Sequence, residues 1–262
     1  MIFRPFLAKD GYSLRFGGCS FFYLFLGLLV LLSGTSLALS PAEIDQTFRL
    51  LQNGPVGEKI SLWAEKFLGT SYDRDPQGVY VTRADIVADD EVDCMYLTFR
   101  VVELALSRSP EEAIQVALDK RFHTRGILQD DKVLNYDDRF QYGEDMIRSG
   151  KWGTDITSRI GRTARIRGSR DYDSFEILPP HEMARKKERL RSGDLLFFFK
   201  APEKRVVDEG VGHMGIVKVE GKEIFLIHAG GTKNSGGTVK KVLLVDYLSA
   251  MPFVGVKVTR FE

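Results

Sequence analysis

Apolar residues recur at three- and four-residue spacing through Leu97, Val101, Leu104 and Ala105, which predicts a helix with one buried face. Asp93 stands where its carboxylate can accept from the first free amides, so it is the expected N-cap. The acidic run Asp89-Asp90-Glu91 before it reads as solvated loop. Upstream, Ser40 or Pro41 opens a first helix, and Ile60, Leu62, Trp63, Phe67 and Leu68 line a second that Gly69 breaks. Asp75-Pro76-Gln77-Gly78 has turn chemistry, and Val79-Tyr80-Val81 is a short strand candidate. The central helix ends near Ser107-Arg108-Ser109, and Pro110 starts another short one. Turns, aromatics and charge mix between Arg121 and Tyr172, with one expected helix over residues 142–149. The basic run Arg185-Lys186-Lys187-Glu188-Arg189-Leu190-Arg191 reads as a solvated helix face or linker.

The last third changes period. Asp194-Leu195-Leu196-Phe197-Phe198-Phe199 is a strand apolar throughout, residues 211–219 form a second, and Gly221 turns the chain into a third over 223–229. Residues 239–245 and 253–260 complete about five strands, whose short connections predict an antiparallel sheet. Helices first and strands last imply an α+β domain over residues 39–262, with the Asp93 helix packed on the sheet.

The first 38 residues are of another kind. Arg4, Lys9 and Arg15 precede an apolar run over residues 21–32, and Ser36 and Ala38 then fall where a signal-cleavage site needs small residues. A cleaved export signal is expected, with an uncleaved anchor as the alternative; either puts residues 39–262 outside the cytoplasm, periplasmic or secreted, and makes this segment the only expected membrane contact. The composition is that of an ordinary globular domain, with 44% hydrophobic and 28% charged residues. A net charge of +1 offers no broad positive surface for nucleic acid. Of two cysteines, Cys19 lies in the leader, so the domain keeps one thiol, Cys94, and no disulfide framework.

Cys94 follows the N-cap, where free amides and the helix dipole favour a thiolate. It reads either as a nucleophile or as a small buried hydrophobe that happens to start a helix. Of four histidines, His213 and His228 sit at near-equal offsets from the turn at Gly221, which puts them side by side at one end of a hairpin. A thiol at a helix start beside two imidazoles suits a nucleophile, a base and an orienting group. A zinc site is the weaker alternative, since a fourth ligand is not evident. His123 and His181 read as surface residues.

In order along the chain, Asp93-Cys94, Gly193-Asp194-Leu195-Leu196-Phe197-Phe198, His213-Met214-Gly215-Ile216-Val217 and Ile227-His228-Ala229 resemble the NlpC-type papain-like cysteine peptidases of bacterial cell walls. Leu68-Gly69-Thr70-Ser71-Tyr72 is similar to that family's Gly-Thr-Pro-Tyr segment. Arg139-Phe140-Gln141-Tyr142-Gly143-Glu144-Asp145-Met146-Ile147 resembles the N-acetylmuramoyl-L-alanine amidase-like branch, with Gln141 and Met146 replacing an expected histidine and tryptophan. The resemblance implies a papain-like fold and a cofactor-free hydrolase acting on peptidoglycan or muropeptide fragments. It implies Cys94 as nucleophile, His213 as base and His228 as the orienting residue, with Tyr72, Arg139, Tyr142 and Asp145 as substrate contacts. It implies cleavage of the amide between N-acetylmuramic acid and L-alanine. The alternatives are a γ-D-glutamyl–diamino acid endopeptidase with the same residues and a wall-binding module without turnover.

Overall fold

The structure, a computed structural model, describes residues 39–262; the expected export segment and Cys19 lie outside the described residues. In chain order the helical half holds α1 (Pro41–Leu51), α2 (Val56–Lys66), β1 (Ser71–Tyr72), α3 (Val79–Thr82), β2 (Glu91–Val92), α4 (Cys94–Ala105) and α5 (Pro110–Lys120). A middle section follows with β3 (Leu128–Gln129), β4 (Lys132–Val133), α6 (Gly143–Ser149), β5 (Thr154–Asp155), α7 (Thr157–Ile160), β6 (Ala164–Arg167), β7 (Ser174–Ile177) and α8 (Pro180–Lys186). The strand-rich end comprises β8 (Leu195–Lys200), β9 (Val211–Glu220), β10 (Glu223–Thr232), β11 (Gly236–Leu243), α9 (Leu244–Ala250) and β12 (Phe253–Arg260). The fold is therefore α+β, as the order of patterns predicts.

The sheet is larger than expected. It has eight strands in the order β2-β1-β11-β10-β9-β8-β12-β5, antiparallel except for the β1–β2 pair. Its five long strands are those the sequence predicts. The additions, β1, β2 and β5, are two residues each, too short to carry a period.

Strand β8 explains why the sheet needs helices on both faces. Leu195, Phe197 and Phe199 point into one core with Trp63, Phe99 and Trp152, while Leu196 and Phe198 point into another with Ile160, Met183 and Tyr247. A strand buried on both faces reads as an unbroken apolar run rather than an alternation. Gly193 makes the turn into it at φ +84°, and a Cβ there would strike the backbone of Gly57. Asp194 then holds Arg260 of β12 through two contacts of 2.6 and 2.7 Å. The Gly193-Asp194 pair is thus architectural.

Helix α4 is capped as expected, with the Asp93 carboxylate accepting from the Tyr96 N–H at 2.8 Å. Its burial is not one-sided: every residue from Tyr96 to Ala105 is buried, because α4 lies between the sheet and helices α2 and α5. The charge this encloses is paired. Arg121, at the end of α5, donates to both Glu103 carboxylate oxygens at 2.6 Å, and its guanidinium lies 4.9 Å from the Tyr96 ring centre.

One expected strand is wrong. Residues 79–81 form the short helix α3, because the buried Asp73 carboxylate accepts from the Val79 N–H at 2.7 Å and caps a turn. Tyr80 then stacks at 5.0 Å on Tyr96, a tertiary contact that overrides β propensity. The hairpin β6–β7 went unread in the mixed section. The basic run forms α8 and a short 3-10 turn at the surface.

Candidate active site

Cys94 is the first residue of α4 and half-buried. Its sulfur meets the backbone N–H of Met214 on β9, so helix start and strand are joined there. The Asp93 carboxylate that caps the helix also accepts from Lys233 at 3.1 Å. Burial pushes the Cys94 thiol up to about 12 and Asp93 adds to it, outweighing the Met214 N–H and Lys233. Desolvation and the cap's own charge thus oppose the pull of the helix start toward a thiolate.

His213 and His228 are bonded to each other, His213 Nε2 to His228 Nδ1 at 2.9 Å, with their rings nearly perpendicular at 85°. The register corrects how they meet. Ile216 faces Ile227 across β9 and β10, so Gly215 falls opposite His228, and His213 reaches it diagonally on the same face. A side chain at position 215 would press on the Leu226 side chain and the Ile227 carbonyl and lie 3.2 Å from the His228 Cβ. Just before His213 the β8–β9 register shifts, with Phe198 opposite His213 and Phe199 opposite Val211, which leaves Gly212 as the extra residue of a bulge. The buried Glu144 carboxylate fixes that bulge from α6, accepting from Gly210 N–H at 2.8 Å, Val211 N–H at 3.1 Å and Ser169 Oγ at 2.9 Å.

Both imidazoles are held neutral. Burial takes His213 down to about 3, with His228 adding to the effect, and burial takes His228 down to about 4, with Lys240 adding. Burial thus favours the neutral form of the thiol and of both imidazoles. The neutral pair has one useful tautomer: His213 Nε2–H donates to His228 Nδ1, which leaves His213 Nδ1 as the basic nitrogen.

Tyr72 joins this group. It carries the Lys233 ammonium 5.7 Å from its ring centre, and burial first, then Cys94, raises its hydroxyl far above the ordinary range, so it stays protonated. Tyr247, part of a closing Tyr247-Leu248 segment that resembles the amidase-like branch but not among the expected site residues, lies with its ring 4.9 Å from His228 and 5.9 Å from His213, and its hydroxyl is also raised by burial and by Cys94. It sits on the short helix between two strands, where no spacing rule singles it out. A cavity of about 450 Å³ beside the imidazoles is lined by His213, His228, Gly230, Lys240, Tyr247 and Phe253. Cavities of about 580 and 630 Å³ open elsewhere, and neither is lined by a thiol or an imidazole.

Cys94 and Tyr72 do not line that cavity, and neither do the remaining expected contacts. Asp145 pairs with Arg170 at 2.8 Å and accepts from the Tyr172 hydroxyl at 3.0 Å, while Arg170 stacks 3.8 Å from the Tyr142 ring centre. These residues form a cluster beside Glu144, near the start of β9. Arg139 is engaged locally, donating to the Tyr136 carbonyl at 3.0 Å. His123 and His181 are exposed. Among the described residues no group of three or more His, Cys, Asp or Glu is arranged to hold a metal ion.

The neutral resting pair makes a checkable statement. Alkylation of Cys94 by iodoacetamide should be slow at pH 7 and rise about tenfold per pH unit up to pH 10, following thiolate fraction. A plateau between pH 6 and 8 would show a standing thiolate–imidazolium pair instead.

No protein-family model matches the chain, and no curated protein matches its sequence. Its fold is shared with solved structures. A structure described as an N-acetylmuramoyl-L-alanine amidase from Bacteroides uniformis superposes with a TM-score of 0.62 at 20% identity, covering 79% of this chain and 99% of that one. A Legionella pneumophila protein of the DUF1460 family superposes with a TM-score of 0.61 at 16% identity, covering 83% of this chain and 93% of that one. A structure described as a putative xylanase from Bacteroides fragilis follows at 0.58 and 18% identity, covering 76% of this chain and 99% of that one.

Proposed function

We propose that this protein is a cysteine-dependent peptidoglycan amidase of the NlpC-type papain-like kind, cleaving the amide between N-acetylmuramic acid and the stem peptide. The observation that carries the reading is the 2.9 Å His213–His228 bond on β9 and β10 beside a thiol held by the Met214 N–H. A shared fold with a structure described as an N-acetylmuramoyl-L-alanine amidase supports the substrate class. The xylanase likeness is outweighed, because glycoside hydrolysis uses two carboxyl groups flanking the bond and the cavity beside the histidines is lined by none.

In this reading His213 Nδ1 takes the Cys94 proton as the sulfur attacks the amide carbon. The Cys94 N–H stabilises the oxyanion, with the protonated Tyr72 hydroxyl beside it. His213 passes the proton to the leaving amine nitrogen, giving a thioester and a free amine. It then takes a proton from water as that water attacks the thioester, and returns it to the sulfur. His228 holds the tautomer throughout. Murein lies outside the cytoplasm, so the reading goes with export directed by residues 1–38.

The test is mass spectrometry of muropeptides incubated with residues 39–262. Whole stem peptides with a free N-terminal L-alanine are the expected product. Cleavage after D-glutamate would assign the same residues to an endopeptidase. Replacing His228 by alanine should lower kcat about 100-fold or more with little change in KM, and asparagine, whose Oδ1 can accept from His213, should restore part of it. An unchanged kcat in His228→Ala would remove His228 from the mechanism.

A further inference from the structure

Lysines on the long strands of the sheet end on carboxylates. Lys200 pairs with Glu209, Lys218 with Glu65 at 2.9 Å, Lys241 with Glu220 at 2.7 Å and Lys257 with Asp155 at 2.6 Å. Lys240 does not: among the described residues it has no acidic partner, although its neighbour Lys241 reaches two. It stands directly opposite His228 in the β10–β11 register and therefore on the same face. Its stem crosses Gly230, whose missing side chain leaves the Lys240 Cδ 3.4 Å and the His228 Cε1 3.0 Å from where a Cβ would be. Lys240 thus lines the 450 Å³ cavity together with both imidazoles and the apolar side chains of Tyr247 and Phe253.

A cation directly across from an imidazole is an unfavourable neighbour, and it leaves one positive charge uncompensated at the cavity edge. We propose that Lys240 is the residue by which this cleft recognises a carboxylate on the substrate, close to the bond being cut. The apolar walls take the uncharged part of the same group. Resting on the hydrolase reading, this assigns the cleft to a stem peptide whose γ-linked D-glutamate keeps its α-carboxylate free, against one in which it is amidated.

The experiment uses Cys94→Ala protein, so that nothing turns over, and isothermal titration with two muropeptides differing only in that group, free α-carboxylate or α-amide. The carboxylate form should bind about tenfold tighter, as one partly exposed charge-assisted contact allows. Lys240→Met should weaken the carboxylate form to the level of the amide while leaving the amide unchanged, and Lys240→Arg should keep the preference. A preference that survives Lys240→Met overturns the proposal, as does equal binding, or no binding, of the two forms by the Cys94→Ala protein. If the otherwise unaltered enzyme hydrolyses neither peptide while the Lys240-dependent preference stands, the hydrolase reading falls and the carboxylate site remains.

Discussion

Cys94→Ala is expected to lower muropeptide hydrolysis by roughly 10⁴- to 10⁶-fold, the loss seen when a nucleophile acting with its base as one unit is removed. The fold should tolerate the change. Cys94 is half-buried, alanine is the best helix former, and the Asp93 cap acts on Tyr96 rather than on the thiol. Binding of murein should therefore survive, and circular dichroism and melting temperature should match those of the parent. His213→Ala should cost as much, and the double variant no more than either alone. Residual hydrolysis within tenfold of the parent would mean that another group attacks. Murein binding without any hydrolysis in the parent would leave a binding module that keeps the residues of a hydrolase without the turnover.

Breaking the Glu103–Arg121 pair should be the most damaging single change to stability. Both side chains are buried, at 0% and 1% exposure, and the two contacts of 2.6 Å satisfy both carboxylate oxygens. Removing one partner leaves an unpaired charge between α4, α5 and the Tyr96 ring, at a cost of about 3–5 kcal/mol. For a domain of this size that is roughly 6–20 °C in melting temperature. Glu103→Gln and Arg121→Met should each show it by calorimetry. The pair Glu103→Leu with Arg121→Met should recover much of the loss, because an apolar replacement of both members removes the desolvation penalty. Single variants melting within 2 °C of the parent would show that water reaches the pair. The same break would loosen α4, so activity should fall along with stability.

The sequence made the long elements legible because their patterns are local. Five strands, the Ser40 and Asp93 caps and the helix after Pro110 follow from spacing and capping chemistry. Three kinds of feature were out of reach. The two-residue strands have no period, α3 forms because a carboxylate six residues earlier caps it, and the Glu103–Arg121 pair joins residues on different helices. The site divides the same way. Cys94, His213, His228 and Tyr72 lie in segments with recognisable order, whereas Lys240 comes to the cavity only through the sheet's register and Tyr247 only through the packing of α9 on β10. The spacing of a helix start carries its dipole but not the desolvation by the strand packed over it, which pushes the Cys94 thiol the other way.

The order of the sheet carries a consequence for how the protein can be made. Strand β12, the last of the described strands, pairs with β8, so β8 stays an open edge until residues 253–260 arrive. A chain leaving the ribosome amino end first presents Cys94 well before β9 and β10 supply the imidazoles, and it still lacks the strand that covers β8. A chain stopped before residue 253 would leave a row of unpaired backbone groups beside Leu195–Lys200 and expose an apolar edge to other chains. Shortened products should accumulate as aggregates rather than as weakly active enzyme, and tags placed after Arg260 should be joined through a flexible spacer that leaves this final pairing free.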